Sequence, residues 1–108
     1  MENKTKSINV KDLEQLLKTN KDLYILDVRN PSEVALASLG GFNIPLGQLH
    51  DRYSQVPSGK DIYCLCHHGV RSQMAQDFLL QNGYNNVINI EGGIDAWSLE
   101  IDSNIPRY

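Results

Sequence analysis

Long apolar runs are missing from this 108-residue chain, and no hydrophobic segment follows its polar start, Met1-Glu2-Asn3-Lys4-Thr5-Lys6-Ser7. The first absence excludes a membrane-spanning helix and the second argues against a secretory leader, so the sequence points to a cytosolic protein with no membrane partner. Cysteine is scarce. Only Cys64 and Cys66 occur, which leaves no disulfide framework, and two residues so close on a strand are badly placed to bridge. Positive charge is not in excess either: ten Lys and Arg stand against thirteen Asp and Glu, a net charge of −3, which argues against a nucleic-acid partner. Lys and Arg vanish altogether between Ser72 and Pro106, where Asp77, Glu91, Asp95, Glu100 and Asp102 lie, and this reads as an ordinary solvated face. Gly92-Gly93 has no G-x-G-x-x-G fingerprint around it, so a dinucleotide cofactor is not indicated.

What remains is ordinary globular material, 41% hydrophobic and 21% charged, with no repeat, low-complexity tract or linker. One domain is expected, with a core from about residue 8 to 100, a short polar N-terminal extension and a C-terminal tail. Leu23 to Val28, Ile62 to Cys66 and Val87 to Ile90 are short, continuous apolar runs of the kind found in a parallel sheet covered on both faces, and Ser7 to Val10 and Phe42 to Ile44 are briefer candidates. Helical patterns fall between them. Asn9 suits the N-cap of a helix bearing Val10, Leu13, Leu16 and Leu17; a second helix starts near Pro31; a third covers Leu46 to Tyr53. The clearest runs from Ser72 to Asn82, with Ala75, Phe78 and Leu79 on one face and Gly83 past its end, and a last short helix containing Ile94 and Trp97 follows Gly92-Gly93. The alternation predicts an α/β fold with a mainly parallel central sheet flanked by helices on both faces. Oligomeric state stays open, because no apolar stripe stands out beyond what such a fold buries.

The chemistry gathers in Cys66-His67-His68-Gly69-Val70-Arg71-Ser72, which joins an apolar strand to a helix start. In open α/β sheets the functional crevice lies at the carboxyl ends of the strands, which is where Cys66 falls. A thiol in a loop that caps a helix faces free backbone N–H groups and the positive end of the helix dipole, and both favour the nucleophilic thiolate. Arg71 adds a planar fork of donors for an oxyanion, and its place at the positive end of a helix is unfavourable unless something anionic lies nearby. The chain therefore suggests thiolate chemistry on a small anion, with Cys66 catalytic. Cys64, inside the apolar run, reads as inert core. Cys-Leu-Cys-His-His crowds four potential ligands into five residues and has no second ligand pair elsewhere, so no metal site is expected, and His67 and His68 are expected to line the pocket mouth, where partial protonation draws in an anionic donor. Asp27, Arg29 and Glu33 are read as an ion-pair set fixing the loop after the second strand, with Arg29 kept as a candidate for substrate contact.

Four segments in this order and spacing resemble the single-domain rhodanese-like sulfurtransferases: Leu26-Asp27-Val28-Arg29 with Glu33 a turn later; Asn43-Ile44-Pro45-Leu46; Tyr63-Cys64-Leu65-Cys66 with the loop to Ser72; and Asn89-Ile90-Glu91-Gly92-Gly93-Ile94-Asp95-Ala96-Trp97. The resemblance implies a single rhodanese-like domain in which Cys66 takes a sulfane sulfur from a small anionic donor such as thiosulfate, or from a persulfide. Cys66 then holds it as a persulfide and passes it to cyanide, a thiol or a protein acceptor, without metal or organic cofactor. Backbone N–H groups from His67 to Ser72 then form a nest for the sulfur, Gly69 supplies the positive φ a tight loop needs, and Arg71 holds the donor's oxyanion or fixes the loop. Where many relatives carry Gly-His-Ile-Pro-Gly, this chain reads Val34-Ala35-Leu36-Ala37-Ser38-Leu39-Gly40-Gly41-Phe42, one residue shorter and without the histidine. Two competitors are a non-catalytic docking or regulatory module on the same fold, and a phosphatase or arsenate reductase. The latter place five residues between cysteine and arginine, whereas His67 to Val70 makes four, a ring sized for sulfur.

Overall fold

The computed structural model describes residues 6–20 and 23–108, so the polar extension at residues 1–5 lies outside the described residues. Within it, five strands and five α-helices follow one another in the order β1 (Lys6–Ile8), α1 (Val10–Thr19), β2 (Tyr24–Asp27), α2 (Pro31–Leu36), β3 (Phe42–Asn43), α3 (Leu46–Arg52), β4 (Ile62–Leu65), α4 (Val70–Gln81), β5 (Val87–Ile90) and α5 (Gly93–Glu100), with a 3-10 turn at Tyr53–Gln55. The strands form one sheet in the order β1-β5-β4-β2-β3, every neighbour parallel.

Burial on both faces explains why the strands read as continuous apolar runs. Successive residues of β4 face opposite layers: Ile62 and Cys64 join Leu26, Ile44, Leu49, Ala75 and Leu79 in the cluster beneath α3 and α4. Tyr63 and Leu65 join Val10, Leu13, Ile90, Ile94 and Trp97 beneath α1 and α5. The helices close a three-layer sandwich with β4 at its centre.

Local signals set the element ends. The Asn9 side chain accepts the Asp12 N–H at 2.8 Å, which satisfies a free donor of the first turn. Val10 is thereby the first residue of a helix, not the last of a strand, and the strand expected over Ser7 to Val10 is corrected to Lys6–Ile8. Pro31 stands at the start of α2, where a missing N–H costs nothing. α4 begins at Val70, two residues before the expected Ser72, because Gly69 adopts φ +111° and turns the chain into the helix at once.

Candidate active site

Cys66 is the first residue beyond β4, between the carboxyl ends of β5 and β2, and is 1% exposed. Its Sγ accepts the Gly69 N–H at 3.0 Å and lies 3.3 Å from Ser72 Oγ. Of the His67 to Ser72 amides expected to form a nest, the Gly69 N–H makes this contact, from a residue with left-handed backbone. Ser72, 0% exposed in the first turn of α4, donates its single proton to Asn89 Oδ1 at 2.5 Å, while Asn89 Nδ2 donates to the Gly69 carbonyl at 3.2 Å. One hydroxyl has one proton. While Ser72 gives it to Asn89, its lone pairs face the sulfur and accept from a protonated thiol; rotation of the hydroxyl turns the same group into a donor for the thiolate.

The outer side of the loop is held by α5. Ile94 N–H donates to the Cys66 carbonyl at 2.9 Å and Asp95 N–H to the His67 carbonyl at 3.1 Å. This contact needs a glycine at position 93. A Cβ there would fall on the carbonyl oxygens of Cys66 and His67, and φ is +61°, a conformation that disfavours side chains. The expectation that Gly92-Gly93 permits close approach of the last helix is met.

Arg71 Nη1 and Nη2 grip Glu33 at 2.7 and 2.8 Å. Glu33 also accepts the Asn30 N–H at 3.1 Å and the Tyr108 hydroxyl at 3.0 Å. Held chiefly by the Arg71 fork, its carboxyl drops to about 2, and the Arg71 guanidinium is pushed up by the same pair. Of the two roles implied for Arg71, this geometry serves loop fixation: the fork faces a carboxylate of the protein. Arg29 does not pair with the Glu33 carboxylate. It is 0% exposed and gives Nε and Nη2 to Asp27 at 2.9 and 2.7 Å, Nη2 also to the Ala37 carbonyl, and Nη1 to the Glu33 carbonyl and the Tyr108 hydroxyl. All five of its N–H donors are engaged within the protein, with Asp27, 1% exposed, as its partner, so of the two roles held open for Arg29 the geometry favours loop support over substrate contact. Asn43 ties the same turn through the Asp27 and Arg29 carbonyls, both at 2.8 Å.

His67 and His68 do stand by the loop, but the surroundings of His67 disfavour the charge expected of it. Its ring is sandwiched between His68 and Tyr108, each at a centroid distance of 4.0 Å, its Nε2 is buried without a hydrogen-bond partner, and burial pushes its imidazole below the usual histidine range, toward the neutral form. His68 Nε2 lies 3.7 Å from Asp95 Oδ2. One ligand atom each from His67, His68 and Asp95 falls within 4.8 Å of the others. Asp95, however, already takes the Arg107 fork at 2.9 and 3.3 Å, so a cation there has to displace an arginine. Cys64 is fully buried among apolar side chains, and burial pushes its thiol up to about 12. Cys64 is part of the core, as read.

Sequence reasoning assigned no role to Asn89, Asp95 or Tyr108. Asn89 had a visible signal, a lone amide within the apolar run Val87 to Ile90 beside the cysteine strand. Tyr108 had none: it lies in what reads as a tail, and chain folding alone brings it to Glu33.

No described helix is long and apolar enough to cross a membrane. Residues 9–100 match the family described as the rhodanese-like domain. The chain is 34% identical over 92 residues to a protein named sulfurtransferase from Allochromatium vinosum, with 84% of this chain and 86% of that one covered. It is 42% identical over 89 residues to the chloroplastic rhodanese-like/PpiC domain-containing protein 12 of Arabidopsis thaliana, where the match takes in 78% of this chain but only 30% of that longer protein. Among solved structures, a rhodanese-related protein from Thermoplasma volcanium superposes with a TM-score of 0.79 at 35% identity, covering 94% and 95% of the two chains. With the family's model matched over residues 9–100 and most of both chains covered in the Allochromatium vinosum and Thermoplasma volcanium matches, the chain belongs to the rhodanese-like domain family.

Proposed function

We propose that the protein is a sulfurtransferase in which Cys66 carries the sulfur. The observation that supports this most directly is the Gly69 N–H pointing at Cys66 Sγ from 3.0 Å inside a loop of four residues between Cys66 and Arg71. With thiosulfate as donor, the Cys66 thiolate attacks the outer sulfane sulfur, a Cys66 S–S bond forms, the donor S–S bond breaks, and sulfite leaves with the electron pair. A persulfide donor reacts in the same way and releases its thiolate. In the second half, cyanide or a thiolate attacks the outer sulfur of the persulfide and Cys66 departs as thiolate. Neither half needs a strong general base once the thiol is ionised. The Gly69 amide and the Ser72 hydroxyl, turned toward sulfur, stabilise the charge that returns to Cys66 on departure. Arg71, fixed to Glu33, keeps the start of α4 in register with the loop.

The test is mass spectrometry of the intact protein and its peptides after incubation with thiosulfate or a polysulfide, before and after a reductant. One reducible sulfur atom added at Cys66 is the expected result. Failure of both donors to load Cys66 overturns the reading and leaves the docking module in its place.

A further inference from the structure

The segment after α5 is not a loose tail. Asp102 N–H bonds the Trp97 carbonyl at 3.0 Å, Ile105 N–H bonds the Asp102 carbonyl at 3.1 Å, and Ile105 packs on the core cluster beneath α1 and α5. Arg107 then forks onto Asp95. This course delivers Tyr108 to a specific place: its ring stacks on His67 at 4.0 Å and 7° between planes, its hydroxyl accepts from Arg29 Nη1 at 2.9 Å and donates to Glu33 Oε1 at 3.0 Å. His67 is the loop residue just after Cys66. Glu33 holds Arg71 at the other end of the same loop. One tyrosine side chain therefore joins the two ends of the loop that surrounds the sulfur, and the cysteine at the centre is 1% exposed.

We propose that residues 106–108, pivoting on the anchored Ile105, form a gate over the Cys66 loop, latched by Tyr108, which selects donors and acceptors by size: small sulfur species reach the thiol with the latch closed, and bulky thiols only when it opens. The segment is well suited to this. Beyond Ile105, which stays anchored on the core, its hold consists of one ring stack, two hydrogen bonds and one ion pair, so these last residues lift without disturbing the sheet. Arg107 is the outer hinge pin and Tyr108 the latch. The inference concerns access to the thiol of the proposed sulfurtransferase, but access is measurable whether or not sulfur is transferred.

The experiment compares second-order alkylation of Cys66 by iodoacetamide and by fluorescein-5-maleimide, read by peptide mass spectrometry, in the wild-type protein, Tyr108→Phe, Tyr108→Ala and Arg107→Ala. A bulky reagent that reacts only through the open form reports the open fraction, which rises about tenfold for each 1.4 kcal/mol of latch removed. The expected result is a maleimide-to-iodoacetamide rate ratio raised about tenfold or more in Tyr108→Ala and less in Tyr108→Phe, which keeps the ring. Arg107→Ala, whose side chain touches neither loop nor thiol, raises the ratio in the same direction. A ratio unchanged across all four proteins overturns the gate, and so does an equal rise in both rates, which marks general loosening instead of selection. A shifted ratio in a protein that accepts no sulfur from any donor upholds the gate and overturns the sulfurtransferase reading.

Discussion

Cys64 and Cys66 are separated by one residue and are equally hidden from water, at 0% and 1% exposure, yet they belong to different chemical worlds. Cys64 lies in mid-strand, where its backbone groups are paired to β2 and β5 and its thiol meets only apolar neighbours. Cys66 lies one step past the ladder, where the chain is free to curl, and the amide of Gly69 and the hydroxyl of Ser72 reach its sulfur. Burial alone does not distinguish the proposed nucleophile from its neighbour. What separates them is whether a polar donor shares the burial.

The largest effect should come from exchanging the roles directly. Cys66→Ser is expected to abolish sulfur loading with the fold kept, whereas Cys64→Ser should load sulfur at Cys66 as before but melt lower, by about 1–3 kcal/mol for a hydroxyl buried without a partner. Thermal unfolding and mass spectrometry on the two variants test both halves, and loss of loading in Cys64→Ser erases the contrast. Next is Gly93→Ala. The new methyl displaces the Cys66 and His67 carbonyls, so stability is expected to fall by about 1–3 kcal/mol, with the loading rate falling further than the change in melting temperature explains.

Asn89→Ala should have a smaller effect. Ser72 loses its acceptor and the Gly69 carbonyl one of its two donors, the Gln73 N–H remaining, a loss of about 1 kcal/mol per hydrogen bond, and the loading rate should drop severalfold as the loop slackens. An unchanged rate limits the polar surroundings of Cys66 to Gly69 alone. The smallest effect is a dependence on pH. Because the Glu33 carboxyl is depressed to about 2 from an ordinary value of 4.5, its pairing stabilises the fold fully above 4.5, and that stabilisation fades as the pH falls toward 2. The melting temperature of Glu33→Gln should therefore lie below that of the wild type at pH 7 and converge on it between pH 4.5 and 2. A gap that persists undiminished at the acid end contradicts the Arg71–Glu33 pairing.

The sheet was legible because its residues obey one rule along their length: β2, β4 and β5 are apolar but for Asp27 and Asn89, both faces being covered. Two helix starts were legible because Asn9 and Pro31 act on their immediate neighbours, whereas the start of α4 was expected two residues late because Gly69 read as a loop glycine and not as a cap. Cys66 and its loop could be read for the same reason, since Gly69 and Ser72 lie within six residues of it. Pairings across the fold could not. Nothing in the spacing says that Glu33 meets Arg71 instead of Arg29, because Asp27 outcompetes it by standing two residues from Arg29 on the same turn. Arg71 invited an anionic partner on electrostatic grounds; the partner proved to be a carboxylate of the chain. The stacking of Tyr108 on His67 depends on a contact across 41 positions that no periodicity encodes.

The clamp that α5 places on the loop has a consequence for timescales. Ile94, whose amide holds the Cys66 carbonyl, has its side chain in the core beside Trp97 and Leu65. Releasing that amide means lifting α5 from the sheet, an opening close in cost to unfolding the domain. The Ile94 amide should accordingly exchange its hydrogen among the slowest in the molecule, and heat should silence the thiol at the temperature where the whole domain melts, without an earlier stage of local disorder.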